Sequence, residues 1–343
     1  MTRRIIIHAG FAKCGSASIQ AALFHNFGNL QKDAVSLFGK ELRIAHTPAD
    51  LCVPLWFLER AREKREPLAL RLSHEIASVR GPNGDRVGIL SAENLATPQM
   101  APLFAGLDRQ LEVSVIFYLR PQMQWIPSAW KQWGLKEGIS LSDFVSHCIH
   151  ARRPSFKSSI ETWKHVLPAA RIHVRFLIPE LLRGGNPAQD FFHLLGLPLD
   201  KYNIAREPRN PSLDFSILHV LSKNPHLFSS VHDNKLMKGL MRALPAKFQS
   251  TNIQMLSCEE EARIEESFRD ENLWLLKTYC NGMDVDHIYR THFTPRESDA
   301  RYSNMNEIDL IYRCLGIVLE SIATSGDQLT TGDNKNSKTP KGG

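Results

Sequence analysis

The residues best suited to chemistry stand at the start of the chain, in His8-Ala9-Gly10-Phe11-Ala12-Lys13-Cys14-Gly15-Ser16-Ala17-Ser18. Two glycines let a backbone approach an anion closely, Lys13 adds a full positive charge, and Ser16 and Ser18 add hydroxyl donors. A β-branched run, residues 4–9, precedes this segment. A stretch with Ile19, Ala22, Leu23 and Phe27 at helical spacing follows it. A loop between a strand and a helix N-terminus offers unpaired N–H groups and a partial positive charge, so the segment reads as a phosphate cradle. It is not a Walker A loop, which needs Lys after the second glycine and Ser or Thr directly after that Lys; here Lys13 precedes Gly15 and Cys14 follows the Lys. Without the Lys and the hydroxyls, the two glycines would mark only a tight turn.

A second group is Arg120 with Ser128, eight residues on. Arg120 closes the apolar run 113–119, so it emerges at the carboxyl edge of a strand, where open α/β sheets bind ligands. Pro121 starts the helix that carries Ser128. An Arg fork and a hydroxyl can share one phosphate. Glu93, at the end of the run 86–90 and its Ser-Ala-Glu-Asn extension, lies on the same edge. It is the candidate general base, with a helix-capping or ion-paired carboxylate as the plainer alternative. His46, in a loop, is the second candidate base, or simply a surface histidine. His8 reads as a packed strand residue or a ligand. Trp125 and Trp133, eight apart, share a helix face with Trp130 nearby, a spacing typical of core packing. Arg152 and Arg153 stand in a Pro-flanked loop, solvated or closing over an anion.

The elements that must position these residues alternate. Strands are expected at 4–9, 86–90, 113–119 and 171–177, and helices near 16–27, 50–65, 67–80, 122–133, 140–151, 156–166 and 190–195. The segment Gly81-Pro82-Asn83-Gly84-Asp85 is a turn signal. This order predicts a parallel sheet covered by helices. After Pro198 strand signals stop. Helices are expected at 211–223, 231–247, from the Ser257/Glu260 capping box to Gly282, and at 305–323, followed by a polar, disordered tail from Ser325. The expected organisation is an α/β core over 1–200 with a helical insertion at about 30–85, a helical lobe over 201–324, and the tail 325–343.

The chain has 343 residues, 42 Lys plus Arg against 36 Asp plus Glu, a net charge of +6, and 43 % hydrophobic residues. Those proportions exclude a wholly disordered or collagen-like chain and point to one large or two ordinary domains. The basic balance favours anionic ligands, but no isolated Lys/Arg block points to nucleic acid: the run Arg60–Arg65 alternates with Glu59, Glu63 and Glu66. No apolar run approaches the roughly 20 residues that span a bilayer. Six scattered cysteines without metal spacing fit a reducing compartment, so a cytoplasmic location is expected and no metal site is.

HAGFAKCGSASIQAAL resembles the 5′-phosphosulfate loop of bacterial sulfotransferases, and VSVIFYLRPQMQWIPSAWKQW resembles that family's 3′-phosphate-binding strand, loop and helix. RVGILSAEN, ETWKHVLPAARIHVRFLIPELLRGGNPAQDFFHLLGL and SFRDENLWLLKTY are similar to further family segments, so the likeness spans most of residues 1–282. It implies a P-loop-like three-layer α/β fold and metal-independent sulfuryl transfer from 3′-phosphoadenosine 5′-phosphosulfate (PAPS), leaving 3′,5′-ADP, to a hydroxyl or amine. The acceptor it implies is a carbohydrate or a small metabolite. By motif position, Lys13, Cys14, Gly15, Ser16, Ala17 and Ser18 would hold the 5′-phosphosulfate, and Arg120 and Ser128 the 3′-phosphate. Lys13 would also act in catalysis, with Glu93 or His46 as base. Cys14 and Ala17 depart from the family's threonines. A P-loop-type small-molecule kinase and a non-catalytic nucleotide-binding protein are the alternatives.

Overall fold

The structure is a computed structural model that describes residues 3–78, 86–204, 212–250, 254–296 and 305–332. The turn expected at 81–85 lies outside the described residues.

Five parallel strands form the central sheet: β1 (Arg3–Gly10), β2 (Val35–Phe38), β3 (Arg86–Glu93), β4 (Glu112–Leu119) and β5 (Arg171–Phe176), in the order β2-β3-β1-β4-β5. The apolar run of β1 is buried on both faces, as a central parallel strand requires. Its register with β3 pairs Gly10 with Glu93, so the cradle loop and the candidate base leave the sheet side by side.

Helices cover both faces. Helices α1 (Ser16–His25) and α2 (Phe27–Lys32) lie on one side with α8 (Pro187–Leu194), packing Ile19, Leu23, Phe27, Phe191 and Phe192 against Ile6, Ile89 and Tyr118. On the other side α7 (Phe156–Val166) inserts Trp163, which stacks on Phe104 at 5.2 Å and meets Phe117 edge-on. Helices α3 (Leu55–Lys64) and α4 (Leu68–Ser78) lie between β2 and β3 in the chain. The α/β architecture with a helix-flanked parallel sheet is therefore as the alternation predicts.

Strand β2 was not expected. Its four residues fall within a Pro-punctuated stretch whose polar ends hide a short edge strand. Pairing from Val35 against Val87 to Phe38 against Leu90 supplies the order that Val-Ser-Leu-Phe alone does not signal.

The chain divides into two compact units. The first comprises residues 1–125, 149–207 and 265–294, and so holds the sheet, α7, α8, most of the long helix α11 (Cys258–Tyr279) and α12 (Val285–His292), a helix the sequence reading lacked. The second comprises 126–148, 208–264 and 295–343. It holds most of α5 (Gln122–Gln132), α6 (Leu141–His150), α9 (Phe215–Ser222), α10 (Lys235–Ala243) and α13 (Glu307–Gly332). Against the expectation of no strands after Pro198, it also contains the two-residue antiparallel pair β6 (Ser212–Leu213) and β7 (Gln249–Ser250). Helix α13 runs past the expected end at residue 323 to Gly332; the rest of the expected tail lies outside the described residues. Among the described residues, no helix is long and apolar enough to cross a membrane.

Candidate functional site

The carboxyl ends of β1, β3 and β4 are adjacent in the sheet, and the chain leaves them as a loop, as Glu93-Asn94 and as Arg120. Asn94 N–H donates to the Gly10 carbonyl at 2.9 Å, fastening the β3 exit to the β1 exit. The loop from Phe11 to Gly15 is then folded tightly. Lys13 takes φ 63° and Gly15 φ 86°, and Gly15 caps α1 with no side-chain hydrogen bond. The first N–H groups of α1 are therefore not covered by a capping side chain. A Cβ on Gly10 would lie 2.6 Å from the Ser16 hydroxyl and 2.9 Å from the Ala92 carbonyl, so this close approach needs glycine.

Two side chains fix the loop from within the first unit. Ser16 Oγ donates to the Phe11 carbonyl at 3.2 Å, and Trp125 Nε1 donates to the Ala12 carbonyl at 2.8 Å. The Ser16 hydroxyl thus shapes the cradle. The other loop serine is different: Ser18 Oγ is buried with no hydrogen-bond partner.

Charge converges on this edge. Lys13 is half-buried, and its ammonium is pulled below the usual lysine range, first by desolvation and then by the Arg120 guanidinium; Glu93 opposes the shift. Burial likewise lowers the affinity of Arg120 for its proton, and its Nε is buried with no partner. Cys14 is fully buried, and desolvation pushes its thiol up to about 12, although the Arg120 charge and backbone N–H act against that. A thiol held so firmly protonated is a packing group and a weak nucleophile. Glu93 is exposed at the rim.

Gln122, at the first position of α5, is 2 % exposed, and neither its amide oxygen nor its nitrogen has a partner. The sequence reading passed over it. The available signal was an amide directly behind Arg-Pro at a strand exit.

The structure therefore brings together Lys13, Cys14, Glu93 and Arg120, with Gly15, Ser16, Ala17 and Ser18 at the start of α1. Ala17 is exposed there and presents no side-chain donor. Ser128 lies half-buried on α5, beyond the point where that helix passes into the second unit. His46 is exposed in the loop that follows β2, and it is not among the charges that act on Lys13 or Arg120. Arg152 is turned to α11: its guanidinium donates to the Ser267 carbonyl and lies 5.2 Å over the Phe268 ring, while Arg153 is exposed. Trp130 is buried and donates to the Ile139 carbonyl at 2.8 Å, and Trp133 is half-buried; both belong to the second unit.

His8 stands on β1 two residues before Gly10 and is completely buried. Its Nδ1 is 2.8 Å from Ser91 Oγ, its ring is tilted against Phe191 at 5.5 Å, and Nε2 has no partner. Desolvation lowers its pKa to about 3, so the imidazole is neutral at physiological pH. Beside it Tyr118 donates to Asp190 at 2.9 Å, and Arg175 clasps the same carboxylate with Nε at 2.8 Å and Nη2 at 2.6 Å. This buried network ties β4 and β5 to α8 under the cradle.

An arrangement of two cations, one carboxylate, a helix N-terminus and unsatisfied buried donors can hold an anion with more than one oxygen. It can also place a carboxylate beside the anion to accept a proton. Among the described residues, no three His, Cys, Asp or Glu side chains converge as a metal ligand set. Compared with known protein families and with curated proteins, the chain matches none of them.

Proposed function

We propose that the chain is a PAPS-dependent sulfotransferase acting on a hydroxyl or amine acceptor, a carbohydrate or a small metabolite. One observation carries the reading. At one strand edge, the Arg120 guanidinium lies close enough to Lys13 to help hold its ammonium below the usual lysine range, and buried donors at Ser18 Oγ and Arg120 Nε await acceptors. A buried donor left unpaired costs about 1–3 kcal/mol, so such groups mark where a ligand supplies the missing acceptors. The choice of donor rests on the resemblance of the two segments that carry Lys13 and Arg120.

The residues fit such a nucleotide. Lys13, the uncapped N-terminus of α1 and Ser18 Oγ would hold the 5′-phosphosulfate. Arg120 would hold the 3′-phosphate, with the Gln122 amide a further donor within the same unit. The chemistry is one in-line transfer: the S–O bond to the 5′-phosphate breaks as a bond from the acceptor oxygen to sulfur forms. Lys13 Nζ neutralises the charge that grows on the departing phosphate oxygen, and Glu93 takes the proton lost by the acceptor hydroxyl. Cys14 serves as packing beneath the loop, and the absence of a hydroxyl at Ala17 leaves more of the binding to backbone N–H groups.

Calorimetric titration with 3′,5′-ADP, 5′-AMP and Mg-ATP tests the donor site. Binding of 3′,5′-ADP in preference to 5′-AMP, weakened at least tenfold in Arg120→Ala, supports the reading; binding of Mg-ATP instead favours a kinase. Release of 3′,5′-ADP from PAPS should then be lost in Lys13→Ala. In Glu93→Gln turnover should fall while 3′,5′-ADP binding stays intact.

A further inference from the structure

Helix α13 is apolar on two opposite faces, and the second unit covers one of them. Leu310 and Ile317 are buried, and α13 packs along α9. Of the three charged side chains from 308 to 322, Asp309 lies on the flank beside Glu320 and Arg313 by helical spacing, Arg313 clasps Asp214, the N-cap of α9, at 2.7 Å, and Glu320 pairs with Lys247. The outer face is left without charge. It carries Ile308, Ile311, Tyr312, Leu315, Val318, Leu319 and Ile322, each between 41 % and 69 % exposed. These positions follow a seven-residue repeat, with Ile308, Leu315 and Ile322 in one row and Ile311 and Val318 in the next, so they form one continuous stripe.

The seven side chains leave on the order of 800 Å² open. That is about what each partner contributes to a standard-size interface, and it exceeds the roughly 300–600 Å² of the largest apolar patch on a typical monomer. A helix with a second apolar face, beyond the one its own unit covers, presents that face for a further partner. Among the described residues nothing packs on the outer face.

The stripe is also symmetric about its centre. A two-fold axis through Leu315, perpendicular to the helix, exchanges Ile308 with Ile322, Ile311 with Leu319 and Tyr312 with Val318. Every apolar residue then meets an apolar residue, and no charge is left facing the seam. A surface that complements itself under a two-fold rotation is what an isologous dimer requires.

We propose that the chain forms a homodimer in which the α13 stripes of two copies pack antiparallel about a two-fold axis at Leu315. The proposal is independent of the nucleotide site. Sedimentation of the full chain over a range of micromolar concentrations should give twice the 38.9 kDa protomer mass. Leu315→Lys places two ammonium groups against each other on the axis and should raise the dimer dissociation constant by about a hundredfold or more. Because the residue is exposed, its melting curve at monomer-favouring dilution should match that of the unsubstituted chain. Ile311→Lys with Leu319→Lys should act alike, and Leu315→Cys should form an intersubunit disulfide where Ile308→Cys does not. A chain that remains monomeric throughout, or a dimer that survives both lysine variants, overturns the proposal. A monomer that floats with phosphatidylcholine vesicles also overturns it and assigns the stripe to a lipid surface.

Discussion

His8 is the residue whose surroundings set the sharpest physical expectation. Its folded pKa of about 3 lies below the ordinary 6.5, so between those values the unfolded chain binds a proton that the folded chain refuses. Stability from this group is complete above pH 6.5 and declines as pH falls toward 3, by about 1.4 kcal/mol for each pH unit once well below 6.5. His8→Leu should remove close to one proton from the linkage. The loss of urea resistance between pH 7.5 and pH 5 will then be smaller than in the unsubstituted chain; an equal loss would mean that His8 is not the group responsible. Gly10 sets a steric expectation two residues on. Gly10→Ala forces the Ser16 hydroxyl away from the Phe11 carbonyl, at about 1–3 kcal/mol in stability. 3′,5′-ADP binding should weaken more than the melting temperature falls, because the displaced group belongs to the cradle. Lys13, Cys14, Glu93 and Arg120 were legible as a group from the sequence, since each stands at a strand exit that a short apolar run defines. The separate uses of the two loop serines were not legible, because a hydroxyl's partner is set by three-dimensional neighbours such as the Phe11 carbonyl.

Among the elements, β5 and α8 depend most on a single side chain. The Asp190 carboxylate accepts from Tyr118, from Arg175 twice and from the Arg183 backbone N–H, and it is fully buried. Arg175 is held above the ordinary arginine range chiefly by this hydrogen bonding, and burial raises the Tyr118 phenol. Asp190→Ala leaves a guanidinium and a phenol without an acceptor in a largely dry site. It should cost about 3–5 kcal/mol in urea unfolding, and a loss under about 1 kcal/mol would show the network to be incidental. The β-branched runs of β1, β3 and β4 announce themselves because a central parallel strand is apolar on both faces. Strand β2 does not, since an edge strand of four residues is selected by its neighbour. Helix α12 escaped notice because Val285, Ile288 and Tyr289 give an apolar stripe of barely two turns, capped by Asp284. In the same way Trp125 reads as packing from its spacing alone, and only the fold shows its indole holding the Ala12 carbonyl.

At the scale of the whole molecule, the sequence carries the parallel α/β sheet clearly and the interleaving of the two units hardly at all. Helix α5 shows why. One helix carries both Gln122, just after Arg120, and Lys131, whose ammonium reaches Ser212 Oγ in the second unit. Pro127, two residues past Trp125, is the local mark near the passage, and a proline inside a helix reads as a kink, not as a change of unit. The pairs within the second unit, such as Arg313 with Asp214, join residues 99 apart in the chain, a separation over which local pattern has no reach.

The interleaving bears on how the protein is made. The five strands have all been synthesised once residue 176 is in place, but the first unit also needs the segment 265–294. At about 5–20 residues per second, roughly 5–20 s separate synthesis of the β1 exit from that of Arg120, and roughly 15–60 s separate it from residue 294. During that interval the sheet's apolar strands have been made without all the chain that encloses them. Ribosome-bound chains ending near residue 210 should therefore remain open to brief protease treatment, and chains extended well past residue 294 should resist it. Protection already complete at 210 would mean that the later segment closes over a unit able to fold without it. The long delay makes the newborn chain a natural client for chaperones that bind exposed apolar strands.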